Sequence, residues 1–158
     1  RAMEQIGETD NDLYFVFTAQ EEVGLRGAGA AAFAVQPDVA IAVDVTDTGD
    51  LPERKTPMAV DMGKGPTVKV MDRSVICTPA VCAALEQAAA DCGVATQREI
   101  LQFGGTDTSA LQKARAGVQA GAVSIPTRYI HSPSEMCAVS DVEDAAKMLA
   151  RFAVSFGA

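Results

Sequence analysis

Short apolar, β-branched runs alternate with small-residue stretches of helical character along most of the chain, and this alternation limits the fold more than any other feature. Residues 13–18 (LYFVFT), 39–44 (VAIAVD), 67–71 (TVKVM) and a segment within 118–125 read as strands. Continuous apolar runs of that length suit strands buried on both faces. Residues 25–35 (LRGAGAAAFAV) read as an Ala-rich helix that Gln36-Pro37-Asp38 ends. A second helix opens at Thr78-Pro79, a hydroxyl cap followed by a proline at the first helical position, and Cys92-Gly93 stops it. Residues 97–101 suit an edge strand, 46–66 a loop, and 108–115 a short helix after the turn at 103–107. Ser140 is expected to cap a last helix reaching Val154, with Val142, Ala145, Ala146, Leu149, Phe152 and Ala153 on the helical period. Strands joined by helices predict an α/β domain whose largely parallel sheet is covered on both faces, and one domain over the 158 residues is the simplest organisation. In such sheets ligands gather at the carboxyl ends of strands.

Charge narrows the partners. Thirteen Lys and Arg against 21 Asp and Glu leave a formal charge of −8. That balance repels phosphate backbones, so no nucleic-acid partner is expected. No apolar run approaches the roughly 20 residues of a membrane span, so no membrane partner is expected either. Cys77, Cys82, Cys92 and Cys137 form no CxxC pair and no metal-ligand spacing with the single histidine. They read as reduced, structural thiols, which points to the cytoplasm.

Three expected strand ends carry groups able to do chemistry. Glu21-Glu22 follows the first strand, Asp44 ends the second, and His131 follows the late strand. Carboxylate oxygens and an imidazole nitrogen suit a divalent metal such as zinc, cobalt or manganese. Neighbouring Glu21 and Glu22 would point apart, so one could hold metal while the other handles protons on a bound water. Each feature also has a plain structural reading: a solvated turn for the paired glutamates, a loop cap for Asp44, a structural role for His131.

Five motifs in order, residues 18–28 (TAQEEVGLRGA), 40–46 (AIAVDVT), 61–66 (DMGKGP), 104–107 (GGTD) and 124–136 (SIPTRYIHSPSEM), closely resemble the C-terminal half of the glutamyl aminopeptidase family. Its members are cytoplasmic dinuclear metallo-aminopeptidases, often tetrahedral dodecamers, some labelled endoglucanase. The resemblance implies a three-layer α/β/α zinc-peptidase-like fold with a mixed, mostly parallel sheet, truncated at its N-terminal side. It implies Glu21 as general base, Glu22, Asp44 and His131 as metal ligands, and Gly105, Thr106 and Asp107 as substrate-side residues. In the intact enzyme it implies two divalent ions, zinc or cobalt, with peptides as substrates and a homo-oligomer as the assembly. The structural alternative for the 104–107 turn is a helix N-cap by Thr106 or Asp107.

The family also uses an upstream His-x-Asp motif and a bridging Asp, neither of which occurs in this sequence, and a small β-rich inserted domain that is absent as well. The chain is therefore expected to be the C-terminal portion of a catalytic domain. A bridging carboxylate offsets the repulsion between two nearby cations; without it the expectation is one weakly bound ion or none, and little peptidase activity alone. Two other functions compete: a catalytically inactive assembly module, and a glycoside hydrolase. The latter needs carboxyls facing each other about 5–10 Å apart across a sugar, which adjacent residues 21 and 22 are poorly placed to supply. The chain has no Trp for sugar stacking.

Overall fold

The computed structural model describes residues 1–52 and 57–157. Five helices and five strands follow in chain order: α1 (Ala2–Gln5), α2 (Arg26–Val35), β1 (Val39–Asp47), β2 (Thr67–Met71), α3 (Pro79–Asp91), β3 (Gln97–Ile100), α4 (Thr108–Gln112), β4 (Gln119–Arg128), β5 (Met136–Cys137) and α5 (Val139–Ser155). The sheet order is β1-β4-β2-β3, with β5 paired to β4. β1 runs parallel to β4 and β3 parallel to β2, whereas β2 and β5 run antiparallel to β4. The sheet is thus mixed, as expected, and residues 97–100 do form an edge strand.

Helices lie on both sides. On one, α3 and α5 pack on each other and on β2 and β4, closing a core of Val68, Val81, Leu85, Val123, Met148 and their neighbours. On the other, α2 meets α4, which rests on β1 and β4. Alanines at 28 and 32 let α2 approach closely. The helix entrance at α3 is anchored as the Thr-Pro sequence suggests, but the Thr78 hydroxyl accepts the Ala120 N–H (3.1 Å) instead of capping its own helix.

Four expectations are corrected. Residues 13–18 form no strand: no described strand pairs with their backbone, and Tyr14 and Phe17 are 66% and 90% exposed. The apolar pattern registers a demand for cover, but a strand also needs a neighbour for its backbone groups, and none of the described residues supplies one. Helix α4 ends at Gln112, short of residue 115, because Arg115 takes φ +50° and turns back to α2. There its guanidinium stacks over Phe33 at 4.0 Å and Nε donates to the Phe33 carbonyl (2.8 Å). Finally, α5 starts one residue before Ser140, with Ala138 as its cap. The expected loop is cut at its start by β1, which runs on to Asp47, and residues 53–56 of that loop lie outside the described residues.

Candidate functional site

Because β1 and β4 are parallel and in register from Val39↔Gln119 to Asp47↔Thr127, both point their carboxyl ends the same way. Asp44 stands near that end of β1, and the loop carrying His131 leaves that end of β4. Glu21 and Glu22 open a 3₁₀ turn, Glu21–Val23, that leads into α2. The turn is tied down by its own backbone: Leu25 N–H donates to the Glu21 carbonyl (2.9 Å) and Gly27 N–H to the Ala19 carbonyl (3.0 Å). Gly27 is required there, since a Cβ would stand 2.6 Å from the Ala19 nitrogen and 2.7 Å from its oxygen.

These segments meet. His131 Nε2 lies 3.2 Å from Glu22 Oε1, both side chains open to solvent. Burial pushes the Glu21 carboxyl above the usual range, and the negative charges of Asp44, Glu22 and Asp107 push it further, against the opposing influence of His131. Asp44 is also raised, first by burial; the Val45 N–H it accepts (2.7 Å) and Lys69 hold it down, while Asp107 and Glu22 push it up. Five ionisable groups from four chain segments therefore lie close enough for their charges to bear on one another. A carboxyl raised by burial and by neighbouring negative charge suits proton transfer.

The 104–107 turn forms the neighbouring wall. Asp107 is the N-cap residue of α4 but makes no side-chain cap. Its Oδ2 accepts the Thr18 hydroxyl (2.7 Å), while Oδ1 is buried without a partner. Thr106 is buried and its hydroxyl pairs with that of Thr108 (2.8 Å). Gly105 is exposed, and a Cβ there would strike the Ser74 hydroxyl oxygen at 2.5 Å. Backbone strain gathers around the site. Gln20 and Leu25 bracket the 3₁₀ turn with φ +62° and +56°, and Tyr129 and His131 hold +59° and +60°. Non-glycine residues adopt that region only where the surroundings impose it. The His131 N–H donates to Glu135 Oε1 (2.5 Å), which fixes the loop locally.

Sequence reading passed over what lies below. Lys69 and Glu99 are both 0% exposed and ion-paired, and Lys69 Nζ is 3.6 Å from Asp72 Oδ2. Glu99 also accepts the hydroxyls of Thr46 (2.8 Å) and Thr67 (2.6 Å). A lysine in the middle of an apolar five-residue strand was the available signal. Asp141, in the first turn of α5, is buried and accepts the N–H groups of Gly63 (2.7 Å) and Gly65 (3.0 Å), fixing the loop of the third motif.

Imidazole nitrogen and carboxylate oxygen are the donors zinc or cobalt would take. Glu22 and His131 make a two-donor corner of that kind. Among the described residues, no group of three or more His, Cys, Asp or Glu is placed to hold an ion, so Asp44 stands near this corner without closing it. A complete metal site is thus not formed by the described residues alone.

The family model described as M42 glutamyl aminopeptidase matches residues 1–148. A relative from Acetivibrio thermocellus is 52% identical over 149 residues, covering 94% of this chain and 45% of its own length. An aminopeptidase from the archaeon Desulfurococcus kamchatkensis superposes with a TM-score of 0.93 at 37% identity, over 98% of this chain and 44% of that one. A TET peptidase of Pyrococcus horikoshii, which can assemble into a tetrahedron or a large octahedral shell, superposes at 0.77 with 32% identity, over 89% and 40%. The chain therefore spans less than half the length of the relatives it matches.

Proposed function

The chain belongs to the M42 glutamyl aminopeptidase family, and on that premise we propose that it carries the proton-handling side, and part of the cation-holding side, of a cleft that removes N-terminal residues from peptides. Glu21 is the general base: it accepts a proton from the attacking water and returns it to the leaving amine. Glu22, Asp44 and His131 are the cation donors, and Gly105 and Asp107 face the substrate, with Thr106 bracing the turn behind them. The observation that carries this reading is the convergence on Glu21 of Asp44, Glu22, Asp107 and His131, with the His131–Glu22 contact of 3.2 Å. A carboxyl crowded by like charge holds a proton more readily, which is what a base near neutral pH requires.

The chain alone takes up one zinc or cobalt ion weakly and has little turnover, because the donors it brings together stop short of a closed site. Self-association is supported by exposed apolar surface at Tyr14, Phe15, Val16 and Phe17, and by Val43 on β1. A cytoplasmic setting is supported by the four free cysteines; no helix of the described residues is long and apolar enough to cross a membrane. Glu21 and Glu22 share one 3₁₀ turn, which supports the peptidase reading over a glycosidase pair facing across a sugar.

A chimera tests the proposal. Residues 1–148 replace the matching segment of the Acetivibrio thermocellus relative, and release of p-nitroaniline from aminoacyl p-nitroanilides is followed. Chelator-sensitive release is expected. Glu21→Gln should abolish it with bound metal retained, and His131→Ala should lose metal and activity together. Full turnover in the Glu21→Gln chimera, or turnover indifferent to chelator, contradicts the assignment.

A further inference from the structure

We infer that Cys77 and Cys82 form an oxidant-sensitive dithiol: a peroxide converts Cys82 to a sulfenic acid, and Cys77 resolves it to a Cys77–Cys82 disulfide. The positions follow from the entrance of α3. With Thr78 as cap and Pro79 as the first helical residue, Cys77 precedes the cap and Cys82 is the fourth residue of the helix. Side chains at those two places pack on each other where a chain enters a helix. The backbone brings both thiols onto the same stretch of β2: Cys77 N–H meets the Val70 carbonyl and the Cys82 thiol the neighbouring Lys69 carbonyl.

The surroundings hold the pair in place. Cys77 N–H donates to the Val70 carbonyl (3.0 Å), and the Cys82 thiol reaches the Lys69 carbonyl (3.4 Å). Between them Thr78 N–H donates to the Ala120 carbonyl (2.8 Å), fixing the helix entrance against β4. Cys77 is only 2% exposed, whereas Cys82 is half-buried and reachable from one side. The more accessible Cys82 is therefore the nucleophile and the buried Cys77 the protonated partner, in keeping with a Cys82 thiol lowered to about 7 by its neighbour Cys77 and a Cys77 thiol pushed up by Cys82 and by burial. Cys92 and Cys137 are exposed; the Cys92 thiol points at the Ala88 carbonyl (3.1 Å) of its own helix.

The chemistry balances with hydrogen peroxide as the oxidant. The Cys82 thiolate attacks one peroxide oxygen, the O–O bond breaks, hydroxide leaves, and Cys82 becomes a sulfenic acid. The Cys77 sulfur then attacks the Cys82 sulfur, the S–O bond breaks, and water leaves with the Cys77 proton. Two thiols are oxidised by two electrons and the peroxide is reduced to hydroxide and water. A dithiol reductant reverses the result.

The experiment uses the folded chain carrying Cys92→Ser and Cys137→Ser, exposed to a small excess of hydrogen peroxide, then alkylated and mapped by mass spectrometry. The expected product has lost both alkylatable thiols, contains a Cys77–Cys82 cross-linked peptide, and regains both thiols with dithiothreitol. Adding Cys77→Ser should leave a Cys82 sulfenic acid that dimedone traps, and adding Cys82→Ser should leave Cys77 unreactive. Retention of both thiols under peroxide overturns the inference. So does a dimedone adduct without cross-link while both cysteines are present, or an undiminished reaction of Cys77 when Cys82 is gone. The cross-link map of the variant retaining both cysteines decides the matter even where a further substitution impairs folding.

Discussion

The His131 imidazole nitrogen Nε2 stands 3.2 Å from Glu22 Oε1, joining the loop after β4 to the turn before α2. Neither residue is buried, so hydrophobic packing does not hold them together. Their positions are set by backbone: a strained loop fixed by Glu135 on one side, and on the other a 3₁₀ turn seated against Ala19. Scaffold geometry, more than side-chain contact, thus decides whether these groups can act together.

Gly27→Ala should therefore disturb the site from behind. The new Cβ meets main-chain atoms of Ala19, which cannot rotate away, so the segment leading into Glu21 must shift. A loss of roughly 1–3 kcal/mol is expected for such overpacking, read by urea denaturation, together with a changed His131 imidazole NMR signal. A variant of unchanged stability with an unchanged imidazole signal contradicts this.

Beneath the site, Lys69 and Glu99 illustrate how costly a half-removed ion pair is. Lys69→Met strands a Glu99 carboxylate that is 0% exposed, and about 3–5 kcal/mol should be lost. Removing both charges with Lys69→Met and Glu99→Leu should cost clearly less than the single change, because no buried charge is left alone. Equal losses in denaturation midpoint and extrapolated stability for the single and double variants run against this prediction.

Asp50 supplies a pH dependence with a definite sign. Its carboxylate accepts from Arg128 Nε (3.1 Å) and Nη2 (2.6 Å), and that pairing lowers it to about 2. A depressed carboxyl contributes stability that is present above its unfolded pKa and lost as pH falls through the folded value. The window is thus about pH 4 down to 2. After solvent screening, roughly 1 kcal/mol should disappear there, and Asp50→Asn should flatten that part of the curve. An unaltered acid limb in the variant counts against the pairing.

Glu21 has the opposite sign. Its carboxyl is raised by burial and then by Asp44, so the folded chain favours the protonated form. The associated stability is present below the unfolded pKa and is lost as pH rises through the folded one. Glu21→Gln removes the repulsion and should stabilise the chain at pH 7 by less than about 1 kcal/mol, with the difference vanishing in acid. Thermal melts at pH 4 and pH 7 check it; a destabilised variant at pH 7 contradicts the crowding.

How much of this was legible in the sequence depended on how local the cause was. Helices α2 and α3 and strands β1, β2 and β3 follow from runs of four to thirteen residues with local stop signals, and they lie close to where the pattern puts them. Residues 13–18 show the limit: their pattern encodes burial, but burial and hydrogen bonding come from a partner that local sequence does not name. Ser140 shows another, since its neighbour Asp141 was drawn to the Gly63 and Gly65 amides and the cap fell to Ala138. For the site, residue types and strand-end positions suggested a cluster, and the family motifs added the roles. The Lys69–Glu99 pair depends on which strands adjoin, a fact of topology invisible in either strand alone.

Cobalt(II) titration of the isolated chain, followed by paramagnetic NMR with calorimetry alongside, bears most directly on the cluster of Glu22, Asp44 and His131 beside Glu21. One weak binding event should broaden the His131 imidazole and the neighbouring Glu22 and Asp44 signals first, and His131→Ala should remove it. Two tight sites per chain, or an ion that perturbs other residues while His131 stays sharp, would contradict the convergence on which the proposed function rests.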